Sequence, residues 1–258
     1  MKKFGLIGEK LGHSYSKVIH EKFFELSGKD AMYELLPIPK DGFDEGIKAI
    51  INGGYTGINV TIPYKLDVMK YADVISDEAK KIGAVNTISF NDGVISAYNT
   101  DYYGIIHTFK KFNIDIEGKE IVILGTGGAS RAVITAVTDM GAKGIKMVSR
   151  EKKEFCGLDV ITYDDKISGD VLINCTPVGM YPNANVSPID EEIKFNAVVD
   201  LIYNPSHTKL MKMADAQGVK AVNGLYMLVS QAIYSEGIWH GMKYSDEFTD
   251  KIYGGMLI

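Results

Sequence analysis

The 258-residue sequence predicts an α/β fold in two domains, and three observations carry that prediction. Short apolar runs without charge recur along the chain, each closed by turn residues, as buried strands of a parallel sheet are. Segments of helical periodicity alternate with them, which is the pattern of βαβ units. One run, Ile121-Val122-Ile123-Leu124, opens directly into the turn Gly125-Thr126-Gly127-Gly128-Ala129 and then a helix over 129–140. Composition agrees with a globular chain, with 46% hydrophobic and 24% charged residues. A net charge of −5 argues against a general nucleic-acid or anionic-membrane surface and favours a small-molecule partner. No apolar run reaches membrane-spanning length, and the run after Met1-Lys2-Lys3 is too short for a signal-peptide core, so the expected compartment is cytoplasmic. Cys156 and Cys175 match neither a redox nor a zinc spacing, and no two of the five histidines stand four residues apart in sequence, so no metal site is expected.

Taken in order, Phe4-Gly5-Leu6-Ile7-Gly8 reads as the first strand and 17–26 as an amphipathic helix with Val18, Phe23 and Leu26 inward. Between them lies Gly12-His13-Ser14-Tyr15-Ser16. Ser16 suits a helix N-cap, and two hydroxyls at i and i+2 beside a helix start equally suit a substrate carboxylate. A strand at Met32-Tyr33-Glu34-Leu35-Leu36 and a helix over 43–51 follow. The next strand, within 55–62, is ended by Pro63, which suits the first turn of a helix. Thr61 and Lys65 then stand at a strand's carboxyl end, where open sheets bind ligands, although an ordinary solvated lysine fits there too. Two strands at 84–90 and 94–99, joined by Asn91-Asp92-Gly93, deliver the chain to Asn99-Thr100-Asp101. Asp101 either caps the following helix, with Ile105, Ile106, Phe109 and Phe112 on one face, or serves a site.

The glycine turn reads as a phosphate cradle. Without side chains at Gly125, Gly127 and Gly128 the backbone can approach a pyrophosphate, whose charge sits on the free N–H groups of the helix start. Gly125, Thr126, Gly127, Gly128 and Ala129 are therefore the first cofactor residues, with Ser130 standing where the motif usually has Gly or Ala. The second strand of the unit, 144–149, ends in Ser149-Arg150 rather than in the acidic residue that would accept both ribose hydroxyls of NAD. A guanidinium there matches a 2′-phosphate, so NADP(H) is the expected cofactor, with Glu151 a like-charge neighbour to that phosphate. Further buried strands at 171–175 and 197–201 end in Thr176-Pro177-Val178-Gly179-Met180 and Ile202-Tyr203-Asn204-Pro205. A helix over 208–217, a strand at 219–222 and Asn223-Gly224 lead to the most apolar helix, 225–239, with Met227, Leu228, Ile233 and Trp239 as core and Gln231 as its polar exception. Residues 1–100 thus form an α/β domain, and 101–224 a doubly wound, Rossmann-type dinucleotide domain. A C-terminal segment, 225–258, returns to the first domain, and the cleft between the two is the expected site.

These residues together resemble the shikimate dehydrogenase family over essentially the whole chain. The resemblance rests on Ser14 and Ser16, Asn59-Val60-Thr61-Ile62-Pro63-Tyr64-Lys65, Ala84-Val85-Asn86-Thr87, Asn99-Thr100-Asp101, the glycine turn and Asn174-Cys175-Thr176-Pro177-Val178-Gly179-Met180. Asp200 through Pro205 and Gly224 through Gln231 extend it. It implies reversible, NADP-dependent reduction of 3-dehydroshikimate to shikimate, in the route to aromatic amino acids. By the same resemblance Ser14 and Ser16 hold the substrate carboxylate, Thr61, Asn86 and Gln231 bind its ring hydroxyls or orient the groups that do, and Tyr203 also contacts substrate. Lys65 and Asp101 form the catalytic pair and also contact substrate. Thr176, Met180, Ile202 and Gly224 line the nicotinamide side, and Ser149 and Arg150 the adenosine phosphate. A monomer or homodimer is implied.

Three positions depart from the family pattern: Lys17 in place of proline, Ser149-Arg150-Glu151 in place of Asn-Arg-Thr, and a stretch at 151–158 too short for the family's next helix. A quinate or dual-specificity enzyme using NAD is the nearest alternative, and two serines with Arg150 oppose it. A non-catalytic nucleotide sensor on the same fold is opposed by the presence of both Lys65 and Asp101. A short-chain dehydrogenase is opposed because no tyrosine has a lysine four positions later.

Overall fold

A computed structural model describes every residue except His13, Glu191 and Ile258. The 12–16 stretch and the C-terminal segment to 258 therefore each include a residue outside the described set. The chain divides into two compact units, one of Met1–Gly104 with Leu228–Ile258 and one of Ile105–Met227.

The first unit opens with β1 (Lys2–Gly8), α1 (Ser16–Ser27) and β2 (Ala31–Pro37). Then come α2 (Phe43–Asn52), β3 (Gly57–Val60), the two-residue β4 (Val74–Ile75), α3 (Asp77–Ile82), β5 (Thr87–Asn91), β6 (Val94–Tyr98) and the start of α4 (Asp101–Lys111). Its six-stranded sheet has the order β2-β1-β3-β5-β6-β4. The first three strands are parallel, and β5 runs antiparallel to both β3 and β6. The core on one face gathers Ile7, Ile47, Ile58, Val68, Val85 and Ile88, all at most 1% exposed. Helix α1 ends where Gly28 takes φ +65° and returns its N–H to the Phe24 carbonyl.

Three local expectations need correction here. The inward face of α1 is Ser16, Ile19, His20, Phe23 and Phe24, while Val18 is 53% exposed. The helix phase is set by two bulky pairs one turn apart and by a polar partner for His20, not by the most apolar β-branched residue. Ser16 is the first helical residue and caps nothing. Its own N–H is received by the Ser14 hydroxyl at 3.2 Å. Pro63 likewise starts no helix: residues 62–66 form turns, the Ile62–Pro63 peptide is cis, and helical backbone begins only at Asp67.

The second unit contains β7 (Glu120–Leu124), α5 (Gly128–Asp139), β8 (Gly144–Ser149), β9 (Lys153–Phe155), β10 (Leu158–Thr162), β11 (Val171–Asn174), β12 (Ala197–Asp200), α6 (Lys209–Ala216) and β13 (Lys220–Asn223). Its sheet order is β13-β12-β11-β7-β8-β10-β9, parallel throughout except for the β9–β10 pair. Counted without the edge strand β9, that is the doubly wound order with its switch point between β7 and β11. Ile121, Val122, Ile123 and Leu124 are 0% exposed, which is why an unbroken apolar run was needed there. The short 151–158 stretch forms the β9 hairpin arm, with no helix in it.

The chain then returns through α7 (Leu225–His240) and α8 (Asp246–Gly254), whose residues from Leu228 on belong to the first unit. Trp239 lies so close over Gly57 that a Cβ there would be 2.0 Å from its Nε1, and that nitrogen donates to the Ile88 carbonyl at 2.8 Å. A glycine in β3 thus allows α7 to pack on the sheet. Gln231 is not the polar exception on α7, for Ser230, Ser235 and Glu236 are buried as well. Glu236 is 0% exposed and faces His20 Nδ1 at 2.5 Å and His240 Nε2 at 3.1 Å. Among the described residues no helix is long and apolar enough to cross a membrane.

Candidate active site

Main-chain bonds in the first unit bring three sequence-distant segments together. Val60 donates to the Asn86 carbonyl at 2.8 Å, Val85 to the Lys65 carbonyl at 2.8 Å, and Asn86 to the Tyr98 carbonyl at 3.0 Å. The result is an ion pair: Lys65 Nζ donates to Asp101 Oδ2 at 2.5 Å, with the two side chains 16% and 12% exposed. Asn86 Nδ2 donates to the other carboxylate oxygen at 2.9 Å. Asp101 therefore spends both oxygens on Lys65 and Asn86 and is not merely a helix cap. A shielded ammonium held on a carboxylate can give a proton to a developing alkoxide, or take one back, while its field stabilises that charge.

Around the pair, Thr61 stands half-buried just past β3, its methyl packed where a Cβ on Gly8 would lie 2.6 Å away. Gln231 Nε2 donates to the Leu228 carbonyl at 2.8 Å, and its Oε1 lies 3.3 Å from the Thr100 hydroxyl. The protein itself thus engages both ends of this buried amide. Ser14 and Ser16 bracket the start of α1, where the Ser14 oxygen is used as an acceptor and its hydrogen is left to donate. Sequence reasoning gave no role to Tyr33, Asn59, Thr87, Thr100 and Ser235, all nearly fully buried beneath this pair. For Asn59 and Thr87 the usable signal was an uncharged polar residue inside an apolar strand, which needs partners when buried.

The second unit presents a cavity of about 600 Å³ at its switch point, lined by Gly125, Thr126, Gly127, Ser149, Arg150 and Thr176 among others. Gly125 takes φ +95°, and a Cβ on it would lie 2.8 Å from Thr176 Cγ2, so only glycine fits. At Gly127, the residue before α5, a Cβ would meet nothing within 4 Å, which leaves open space above the first helical N–H groups of Gly128 and Ala129. The departure at Ser130 has a use: its hydroxyl donates to the Gly125 carbonyl at 2.8 Å and ties helix to turn.

Thr176 is held from below. Asn174 Oδ1 accepts from the Thr176 N–H at 3.0 Å and hydroxyl at 2.7 Å, while Asn174 Nδ2 donates to Asp200 at 2.9 Å. Burial pushes the Asp200 carboxyl up from its ordinary range, against donors on Thr208, Ile202 and Asn174. Desolvation pushes the neighbouring Cys175 thiol up to about 12. Arg150 lines the cavity as expected, and so does Lys153, which the sequence reading passed over. Lys152 instead faces Asp165 at 3.4 Å. Ile202 is buried and Tyr203 half-buried on the loop after β12, whereas Met180 is 45% exposed. A Cβ on Gly224 would lie 2.0 Å from the Leu201 carbonyl, so its backbone packs on that strand end.

A lysine–carboxylate pair over one sheet and a glycine-rich turn at the switch point of another are compatible with a ketone reductase, and comparison with known proteins supplies the family. The chain is 44% identical to a shikimate dehydrogenase (NADP(+)) of Clostridium perfringens, over 98% of this chain and 97% of that one. The chain belongs to the shikimate dehydrogenase family. The model for the shikimate dehydrogenase substrate binding domain matches residues 6–88, which hold Ser14, Ser16, Thr61, Lys65 and Asn86. A chorismate mutase/shikimate 5-dehydrogenase fusion protein from Clostridium acetobutylicum superposes with a TM-score of 0.94 at 46% identity, covering 99% of this chain and 97% of that one. Shikimate 5-dehydrogenase from Thermus thermophilus, solved in complex with NADP(H) and shikimate, gives 0.89 at 29% identity and 98% coverage of each chain.

Proposed function

We propose that this family member carries out the reversible NADP-linked reduction of the ketone of 3-dehydroshikimate to shikimate, with substrate held by the first unit and cofactor by the second. The Lys65–Asp101 pair, fixed by Asn86, is the observation that carries this reading. NADPH supplies the hydride. As charge builds on the substrate oxygen, the Lys65 ammonium stabilises it and donates its proton, and in the oxidative direction neutral Lys65 takes the proton from shikimate. Asp101 holds the ammonium in line, and closeness of fixed groups replaces solvent reorganisation.

The remaining assignments follow from donor and acceptor supply. Ser14 has a hydroxyl hydrogen for the substrate carboxylate, and Ser16 stands one position into the helix beside it. Thr61, Tyr203 and the second amide hydrogen of Gln231 serve the ring hydroxyls. In the second unit the glycine turn fits a pyrophosphate, since Gly127 leaves room and Gly125 cannot carry a side chain. Ser149, Arg150 and Lys153 suit the 2′-phosphate, and Thr176, Met180, Ile202 and Gly224 the nicotinamide end. We place the reaction in the cytoplasm, in keeping with two unpaired cysteines, by a monomer or homodimer.

The test follows NADPH appearance with purified protein, NADP⁺ and shikimate, beside quinate and NAD⁺ controls. Dominant turnover with shikimate and NADP⁺ is the expected result. Turnover confined to quinate or NAD⁺ would move the specificity while keeping the dyad, and silence with folded protein would end the catalytic reading.

A further inference from the structure

We propose that Thr87, a residue with no place in substrate or cofactor binding, is a positioning residue for the reaction. Its hydroxyl locks the amide of Asn86 so that nitrogen rather than oxygen faces Asp101. This rests on the reading of Lys65 and Asp101 as the proton-handling pair.

The argument is one of hydrogen supply along a buried chain. Asn59 is 5% exposed, and its amide can point only one way, because Nδ2 lies 3.3 Å from the Asn86 main-chain carbonyl, which only accepts. Its Oδ1 accordingly receives the Tyr33 hydroxyl at 2.7 Å. The two hydrogens of Nδ2 are shared among the Asn86 main-chain carbonyl, Thr87 Oγ1 at 3.0 Å and Ser235 Oγ at 2.9 Å. Ser235 has one hydrogen, and the Gln231 carbonyl takes it at 3.0 Å. Thr87, 0% exposed, accepts from Asn59, and of the three oxygens in reach of its single hydrogen, Asn86 Oδ1 at 3.0 Å, Ser235 Oγ at 2.9 Å and Thr100 Oγ1 at 3.1 Å, only the first has no hydrogen of its own to give. Asn86 Oδ1 also accepts the Thr100 N–H at 2.7 Å. With donors on both sides of that oxygen, Nδ2 must turn to Asp101 Oδ1 at 2.9 Å.

Every bond from Tyr33 through Asn59, Thr87 and Asn86 thus points the same way and ends on the carboxylate that holds Lys65. A reversed Asn86 amide would set its carbonyl against Asp101, and the buried geometry makes such unpaired arrangements costly. Thr87 joins β3, the 84–86 segment, the start of α4 and helix α7 at one oxygen. With the Thr100 main-chain N–H it forms the pair of donors that holds Asn86 Oδ1 away from Asp101.

Thr87→Val keeps the shape and removes the hydrogen, while Thr87→Ser keeps the hydrogen. Steady-state kinetics with shikimate and NADP⁺, the deuterium isotope effect on kcat with shikimate labelled at the carbon that gives the hydride, and the NADP⁺ Kd are measured for both. Thr87→Val is expected to lower kcat about tenfold, the worth of one misdirected buried hydrogen bond. The isotope effect should rise, with the NADP⁺ Kd unchanged, and Thr87→Ser should restore kcat to within about twofold. A structural role alone would lower the unfolding midpoint without raising the isotope effect. That result, a wild-type kcat in Thr87→Val, or an equal loss in Thr87→Ser would each overturn the proposal. Lys65→Ala assayed alongside separates the two levels: if it turns over normally, the underlying reading fails too. If it is inactive while Thr87→Val is unimpaired, only the role of Thr87 falls.

Discussion

The two halves of the proposed site are built from different materials. In the second unit the cavity proposed for the cofactor is a matter of backbone: a turn of consecutive residues, one glycine at φ +95°, another with nothing within 4 Å of its Cβ position, and a helix start. In the first unit the proposed catalytic pair is a matter of side chains, gathered from residues 33, 59, 65, 86, 87, 100, 101, 231 and 235 into one network. A backbone site is local and tolerates many neighbours. A side-chain site is non-local, and each member is fixed by the others.

Breaking that contrast at its strongest point, Lys65→Ala should lower kcat by about 10³-fold or more while shifting the shikimate KM little, as for loss of a proton donor. Steady-state rates decide it, and a KM effect without a kcat effect would reduce Lys65 to a binding residue. The backbone half is probed by a pair of identical changes. Gly125→Ala forces a methyl group toward Thr176 at positive φ and should cost about 1–3 kcal/mol of stability. Gly127→Ala, at φ −90°, should leave urea unfolding within about 0.5 kcal/mol of wild type yet raise the NADP⁺ KM. Equal unfolding midpoints for the two variants would contradict a cradle defined by backbone geometry.

Smaller effects sharpen the cofactor side. Arg150→Ala should reduce kcat/KM for NADP⁺ by about tenfold or more and spare NAD⁺, with Lys153→Ala weaker in the same direction. Losses of equal size for both cofactors would remove the phosphate assignment. The smallest effect concerns the thiols. With its pKa pushed up to about 12, Cys175 stays protonated at pH 8 and should resist iodoacetamide, while exposed Cys156 is alkylated. Peptide mass spectrometry after brief labelling would show the reverse if Cys175 were reactive.

Legibility followed the same division. The β7 run and its glycine turn could be read directly, because a strand buried on both faces must be apolar and a φ above zero selects glycine. Lys65 and Asp101 were singled out, but from spacing alone each had a bland reading as solvated lysine or helix cap. Only the 2.5 Å contact across 36 residues excludes it. Val18 was misjudged because hydrophobicity gives a helix an apolar face without saying which of two neighbouring residues the partner will cover. Glu236 and His20 escaped notice because 216 residues separate them.

The sequence by itself determined the alternation of strand and helix, the positions of the turns and the preference for a phosphate-bearing cofactor. All of these are properties of short segments and of single residues' φ, charge and shape. Tertiary structure decided what Asn59, Thr87, Asn86 and Gln231 do. An amide or hydroxyl both gives and takes hydrogen bonds, and its direction is settled only when folding removes water and leaves each buried polar atom a fixed set of partners.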